Sequence, residues 1–123
     1  MAEWKVKKSL LEDLCAAAQN YYPDEFMCFL GGEAKGKTIT EIVFLPNTSG
    51  KNFASISEAT IPIDDTIIGS FHSHPHGSPF PSKQDKKFFQ RYKINAVLGF
   101  PFNLKNMNFF GGDGEKQAIK LIE

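Results

Sequence analysis

The stretch from Thr66 to His74, TIIGSFHSH, is apolar until its last residues, and Pro75 then removes the backbone donor that a further rung of sheet would use. Such a run reads as a buried strand that carries two imidazoles to its end. His76 to Pro81 (HGSPFP) is a Gly/Pro loop that excludes regular structure, and Ser82 to Tyr92 reads as a helix, amphipathic through Phe88, Phe89 and Tyr92. The other runs supply the sheet for that helix. Ser9 to Asn20 carries Leu10, Leu11, Leu14, Ala17 and Ala18 at helical spacing and is stopped before Pro23. Phe26 to Leu30 is expected to be a buried strand ended by Gly31-Gly32. Thr38 to Leu45 is β-branched and reads as a second strand after a turn at Gly36-Lys37. Pro46 to Lys51 is a turn-rich loop, and Ala54 to Ile63 reads as extended and irregular. Lys93 to Phe100, Met107 to Phe110 and Gln117 to Ile122 give three more strands. The order α-β-β-β-α-β-β-β predicts an α/β (mixed α+β) fold, a mixed sheet flanked by helices. At 123 residues, one domain over 1–123 is expected.

Fourteen basic residues balance fourteen acidic ones, so no excess positive charge is available to hold a phosphate backbone, and nucleic acid is excluded as a first partner. Arg91 is the single arginine, which further weakens bidentate phosphate or base readout. No stretch approaches the ~20 apolar residues of a membrane span, and Met1 to Ser9 lacks the apolar core of a secretory signal. A cytoplasmic protein without membrane partners is expected. Cys15 and Cys28 have no CxxC spacing and read as two buried thiols, pairing only in a hyperthermophile's cytosol.

All three histidines fall within FHSHPHG. Alternate side chains of a strand share a face, so the rings of His72 and His74 start about 6 to 7 Å apart and can lean to one point. That makes a bidentate clamp for zinc, though two neighbouring imidazoles could equally be satisfied hydrogen-bonding groups at a strand end. Ser82 and Asp85, three apart, share a face of the first helical turn. Ser-x-x-Asp before an amphipathic run is also a capping box. His, His and Asp with a fourth position left for water is the ligand count of a catalytic zinc; a closed structural site would want four protein ligands. His76 is framed by Pro75 and Gly77, so the turn should carry it off the shared face to the rim. Phe80, Phe88 and Phe89 read as core. The H-E-x-x-H pair is absent, and so is the H-x-E…P-C-x-x-C pattern of the zinc deaminases.

His72-Ser73-His74-Pro75, with Ser82 and Asp85 following, resembles the JAMM motif of MPN-domain metalloproteases, H-[S/T]-H-P-x6-S-x-x-D, without a gap. The family also has an upstream glutamate near the first helix–strand junction, where this chain has Pro23-Asp24-Glu25-Phe26. Asp24 rivals Glu25 but is one methylene shorter and should face the other way. The resemblance extends over nearly the whole chain and implies the MPN (cytidine-deaminase-like) fold. It implies one zinc ion per chain on His72, His74 and Asp85, with Glu25 as general base and acid and Ser82 helping to stabilise the oxyanion. It also implies a partner: a ubiquitin-like modifier protein or its conjugates, cut at the isopeptide or peptide bond after the modifier's C-terminus, as in minimal single-domain archaeal or bacterial members. An alternative is a peptidase removing a C-terminal residue or adduct from a sulfur-carrier protein. A non-catalytic scaffold predicts broken ligand positions, and here all are intact. An extended substrate tail is expected beside a sheet edge, with Asn47 to Ile63 as a candidate flap.

Overall fold

In the computed structural model, residues 3–44 and 65–123 are described; Ala54 to Ile63 and the candidate flap lie outside them. The chain opens with a strand, β1 (Trp4–Lys7), where the sequence reading had none. Trp4 and Val6 are buried while Lys5 and Lys7 face out, the period-two pattern of a half-buried strand. Helix α1 (Lys8–Tyr21) follows without a break and buries Leu11, Leu14, Cys15 and Ala18. Then come β2 (Met27–Glu33), β3 (Thr38–Val43), β4 (Ile67–His74), α2 (Lys83–Phe89), β5 (Ile94–Gly99), a 3-10 turn at Leu104–Asn106, β6 (Met107–Gly111), β7 (Lys116–Gln117) and β8 (Ile119–Ile122).

The strands form one mixed sheet in the order β7-β6-β5-β4-β2-β3-β1-β8. The expectation of a mixed sheet with helices holds, with two corrections besides β1. Gly31-Gly32 does not end β2. The strand continues to Glu33 through a register shift at the glycines, where a side chain at Gly32 would put its Cβ 2.1 Å from the Thr38 carbonyl oxygen. The last strand also divides in two. Lys116–Gln117 pairs with β6 and Ile119–Ile122 pairs with β1, the two ends of the sheet, with Ala118 alone between them. One residue spans only a few ångströms. The sheet must therefore roll up until its edges nearly meet.

What it rolls around is α1. Cys28, Leu30, Phe71, Ala96, Leu98 and Phe109 pack on one face with Leu11, Leu14 and Ala18. Met27, Phe29, Val97 and Phe110 point the other way and are covered by Phe89 of α2. Strand alternation thus decides the chemistry. Phe71 faces α1, so His72 faces α2, and its ring centroid is 6.2 Å from that of Phe89. His74, two residues on, shares that face. Beneath α2, the buried Asn95 amide of β5 donates to the Phe89 and Phe110 carbonyls and pairs with the Ser70 hydroxyl, tying the helix end to three strands.

Candidate metal centre

Strand β4 delivers His72 fully buried and His74 half-buried. Their Nε2 atoms are 2.9 Å apart. Asp85 reaches the same point from α2: its Oδ2 lies 3.1 Å from His72 Nε2 and 3.2 Å from His74 Nε2. Among the described residues these three make the only His/Cys/Asp/Glu group able to converge on an ion. The donor set fits zinc. Ligand atoms about 2.0 to 2.1 Å from a tetrahedral ion lie roughly 3.3 Å from one another. The three observed separations fall just inside that edge. Two imidazole lone pairs cannot share a 2.9 Å contact unless a proton or a cation lies between them.

The loop after β4 fixes one tautomer. His74 Nδ1 is 2.9 Å from the Ser78 carbonyl oxygen, which can only accept, so Nδ1 carries the proton and Nε2 turns its lone pair to the centre. The loop is itself held, because Asn108 Nδ2 donates to the Pro79 carbonyl at 3.0 Å. It also lies directly on Gly99, where a Cβ would meet Pro79 N at 2.9 Å and Gly77 O at 3.1 Å.

The capping-box reading of Ser82 and Asp85 holds, and it leaves Asp85 facing the two imidazoles. Ser82 is the N-cap of α2, with Asp85 N donating to Ser82 Oγ at 3.1 Å and Ser82 N donating to Asp85 Oδ2 at 2.9 Å. The capping box is thus what aims the carboxylate: the oxygen fixed by the Ser82 amide is the one that faces both imidazoles. Ser82 is exposed, and a hydroxyl that accepts from Asp85 N still has its own proton to give.

Charge follows geometry. Burial pushes the Asp85 carboxyl up, but bonds from His72, His74 and the Ser82 amide outweigh it and hold the group far below the ordinary carboxylate range. Burial lowers His72. Burial also opposes a charge on His74, yet bonds to Asp85 and Ser78 and the nearby Glu25 raise it. Of the two imidazoles, His74 is therefore the one whose charged form its neighbours favour.

Glu25 is half-buried in the segment leading into β2. Met27 faces α2, and continuing its alternation back two residues would put Glu25 on the side of the histidines. The electrostatics agree: burial raises the Glu25 carboxyl, while the charges on His74 and Asp85 act on it with opposite signs. Asp24 is exposed, and its amide is used in a turn to the Tyr21 carbonyl at 2.8 Å. Glu33 and Glu41 are exposed, and Glu58 lies outside the described residues. His76 is exposed at the rim, its ring 6.1 Å from Tyr22. Phe89 is core as expected, but Phe80 is 54% exposed: the Pro79-Phe80-Pro81 bend turns it outward. Cys15 and Cys28 are buried, free thiols.

Residues that the motif did not single out for a role also shape the site. Asn108 and Gly99 hold the loop, and Ser73 lies between the two histidines. Only the spacing of Asn108, in a β6 strand otherwise apolar from Met107 to Phe110, hints at its part in the sequence.

The geometry has counterparts. The family model described as prokaryotic homologs of the JAB domain matches residues 7–110. A protein of Haloferax volcanii named as a probable metalloprotease is 26% identical over 116 residues, covering 87% of this chain and 72% of its own. A solved structure described as JAMM, a metalloprotease-like zinc site in the proteasome and signalosome, superposes with a TM-score of 0.75 at 25% identity, covering 99% of this chain and 100% of the other. A JAB1/MPN domain protein from Archaeoglobus fulgidus superposes with a TM-score of 0.76 at 29% identity, covering 97% and 99%.

Proposed function

The chain belongs to the family of prokaryotic JAB-domain homologs, and from that premise we propose that it is a zinc-dependent metallo-hydrolase cutting the isopeptide or peptide bond after the C-terminal tail of a ubiquitin-like modifier protein. The observation that carries this reading is the convergence of His72 Nε2, His74 Nε2 and Asp85 Oδ2 within 3.2 Å of one another, with Glu25 beside them.

In this reading His72, His74 and Asp85 hold the ion through those three atoms. Zinc bound there supplies Lewis acidity and brings the ionisation of water down to about pH 7. Glu25 takes the proton of the attacking water on its carboxylate and passes it to the amide nitrogen that leaves, a contribution of about 10²- to 10⁴-fold. Its raised pKa makes it a stronger base toward the water than an exposed glutamate would be. The Ser82 hydroxyl donates to the developing oxyanion, where one donor is worth about 10²- to 10³-fold. The modifier as substrate is supported by membership of the family and by a rim open at His76 and Phe80, where a protein-sized partner can approach.

The test is cleavage by the zinc-loaded protein of a ubiquitin-like modifier joined to a lysine side chain, run beside a sulfur-carrier protein with a C-terminal cysteine adduct. Release of the lysine conjugate, abolished in Glu25→Gln, supports the reading. Cleavage of the carrier adduct alone makes it a carrier-processing peptidase, and cleavage of neither refutes both.

A further inference from the structure

The motif places a serine between the two histidines, on the face they do not use. Ser73 is fully buried and points away from the ion site. Its partner is Phe26, the residue that follows Glu25. In the β2/β4 ladder Met27 is opposite His72, so Phe26 is opposite Ser73, one rung beyond the start of β2. That rung is closed unusually. Ser73 N donates to the Phe26 carbonyl at 2.9 Å, as a ladder residue should. The return bond, however, runs from Phe26 N to Ser73 Oγ at 2.9 Å, so a side chain stands in for a backbone acceptor. The hydroxyl's own proton has the Phe26 carbonyl at 3.5 Å to point to.

Phe26 is fixed by its ring as well, with centroids 4.7 Å from Tyr21 and 6.0 Å from Phe71. On its other side Glu25 follows a turn closed by Asp24 N donating to Tyr21 O. Glu25 itself lies outside any strand, so its placement depends on the ties at its two neighbours. The tie at Phe26 is made by the same three-residue stretch of β4 that carries both imidazoles.

We propose that Ser73 is a positioning residue: its buried Oγ clamps the Phe26 backbone and so fixes the Glu25 carboxylate relative to His72 and His74. The inference rests on the reading of Glu25 as the proton carrier. Ser73 touches neither substrate nor ion and acts through the backbone of its neighbouring strand. Alanine would leave the Phe26 amide buried without an acceptor, so the segment would move to find one. Threonine would keep the hydroxyl on a β-branched residue that a strand accommodates.

The experiment compares the full chain with Ser73→Ala, Ser73→Thr and Glu25→Gln. Zinc stoichiometry and affinity, hydrogen exchange at the Phe26 amide, and kcat and KM on the cleaved modifier conjugate are measured for each. In Ser73→Ala the Phe26 amide should exchange about tenfold faster or more. Its kcat should fall about 10- to 100-fold, the scale set by a misplacement near 1 Å, with KM and zinc affinity unchanged. Ser73→Thr should restore both readouts. Phe26 exchange and kcat within about twofold of wild type in Ser73→Ala would overturn the clamp. So would a loss of zinc in step with kcat, because the serine would then act on the histidines. A fully active Glu25→Gln overturns the reading of Glu25 and the clamp together. An inactive Glu25→Gln beside an unaffected Ser73→Ala overturns the clamp alone.

Discussion

Asp85 holds two kinds of partner through one oxygen, and Asp85→Asn and Asp85→Ala separate them. Oδ2 accepts the Ser82 amide of the helix cap and faces both imidazoles. Alanine removes the ligand and the reciprocal half of the capping box, while the backbone N of residue 85 still donates to Ser82 Oγ. Asparagine keeps a carbonyl oxygen for the Ser82 amide and removes the charge. That reciprocal bond is worth about 1 kcal/mol, which for a chain of this size moves Tm by roughly 3 to 5 °C. The stability that His74 gains from its raised pKa is present below the unfolded-state pKa and is lost as pH rises through the folded one, so the metal-free comparison belongs at alkaline pH. There, Asp85→Ala should melt roughly 3 to 5 °C below wild type and Asp85→Asn by less than half of that. The zinc arm, near neutrality, separates them from wild type instead. With zinc at about 100 times the wild-type Kd, binding stabilises by about 2.7 kcal/mol, a rise near 10 °C. Removing a group that merely orients a ligand weakens binding by about 10- to 100-fold, so removing a ligand should cost more than about 100-fold. Both variants would then keep about 0.4 kcal/mol or less, a rise of roughly 2 °C. Differential scanning fluorimetry reads the metal-free melting points at alkaline pH and, with and without chelator, the zinc-induced rises near neutrality. An Asp85→Asn protein with the full zinc-induced rise would refute the reasoning and leave Asp85 a helix cap.

Glu25→Gln should bind zinc as wild type does while losing about 10²- to 10⁴-fold in kcat; equal loss of metal in titration calorimetry would make Glu25 a ligand. Because burial raises the Glu25 carboxyl, the acid limb of kcat/KM should lie above the ordinary glutamate range, and a pH–rate profile checks it. Zinc must displace the Nε2 proton of His74 that Asp85 helps hold, so affinity should be constant above the raised His74 pKa and fall about tenfold per pH unit below it, read by a competing zinc chelator. Gly99→Ala sets a methyl against Pro79 N and Gly77 O and should cost about 1 to 3 kcal/mol in denaturant unfolding. The Cys15 and Cys28 thiols, both raised by burial, should ignore a thiol reagent until the chain unfolds.

The strands and helices that bury one face were legible because their periodicity follows burial. β4 to β6 and both helices fall within a few residues of their expected ranges. β1 escaped because the alternation of Trp4-Lys5-Val6-Lys7, the signal that a half-buried strand gives, is only four residues long and half lysine. Gly31-Gly32 resembles a strand end, and only the approach of Thr38 from β3 makes it a bulge. The division of the last strand has no local signal at all. It follows from closure of the sheet around α1, a property of the whole molecule. At the site, the three ligand candidates and the cap lie in one segment whose spacing encodes their meeting. Glu25 joins them only through the pairing of β2 with β4, and the backbone partners of Ser73 and Asn108 lie in other segments, brought to them only by the fold.

Native mass spectrometry of the purified chain and its His72→Ala, His74→Ala and Asp85→Ala variants bears most directly on the metal centre. One zinc retained per wild-type chain, and none in any variant that still folds, is the expected result. A wild-type chain that takes up no zinc, or variants that keep it in full, would contradict the account.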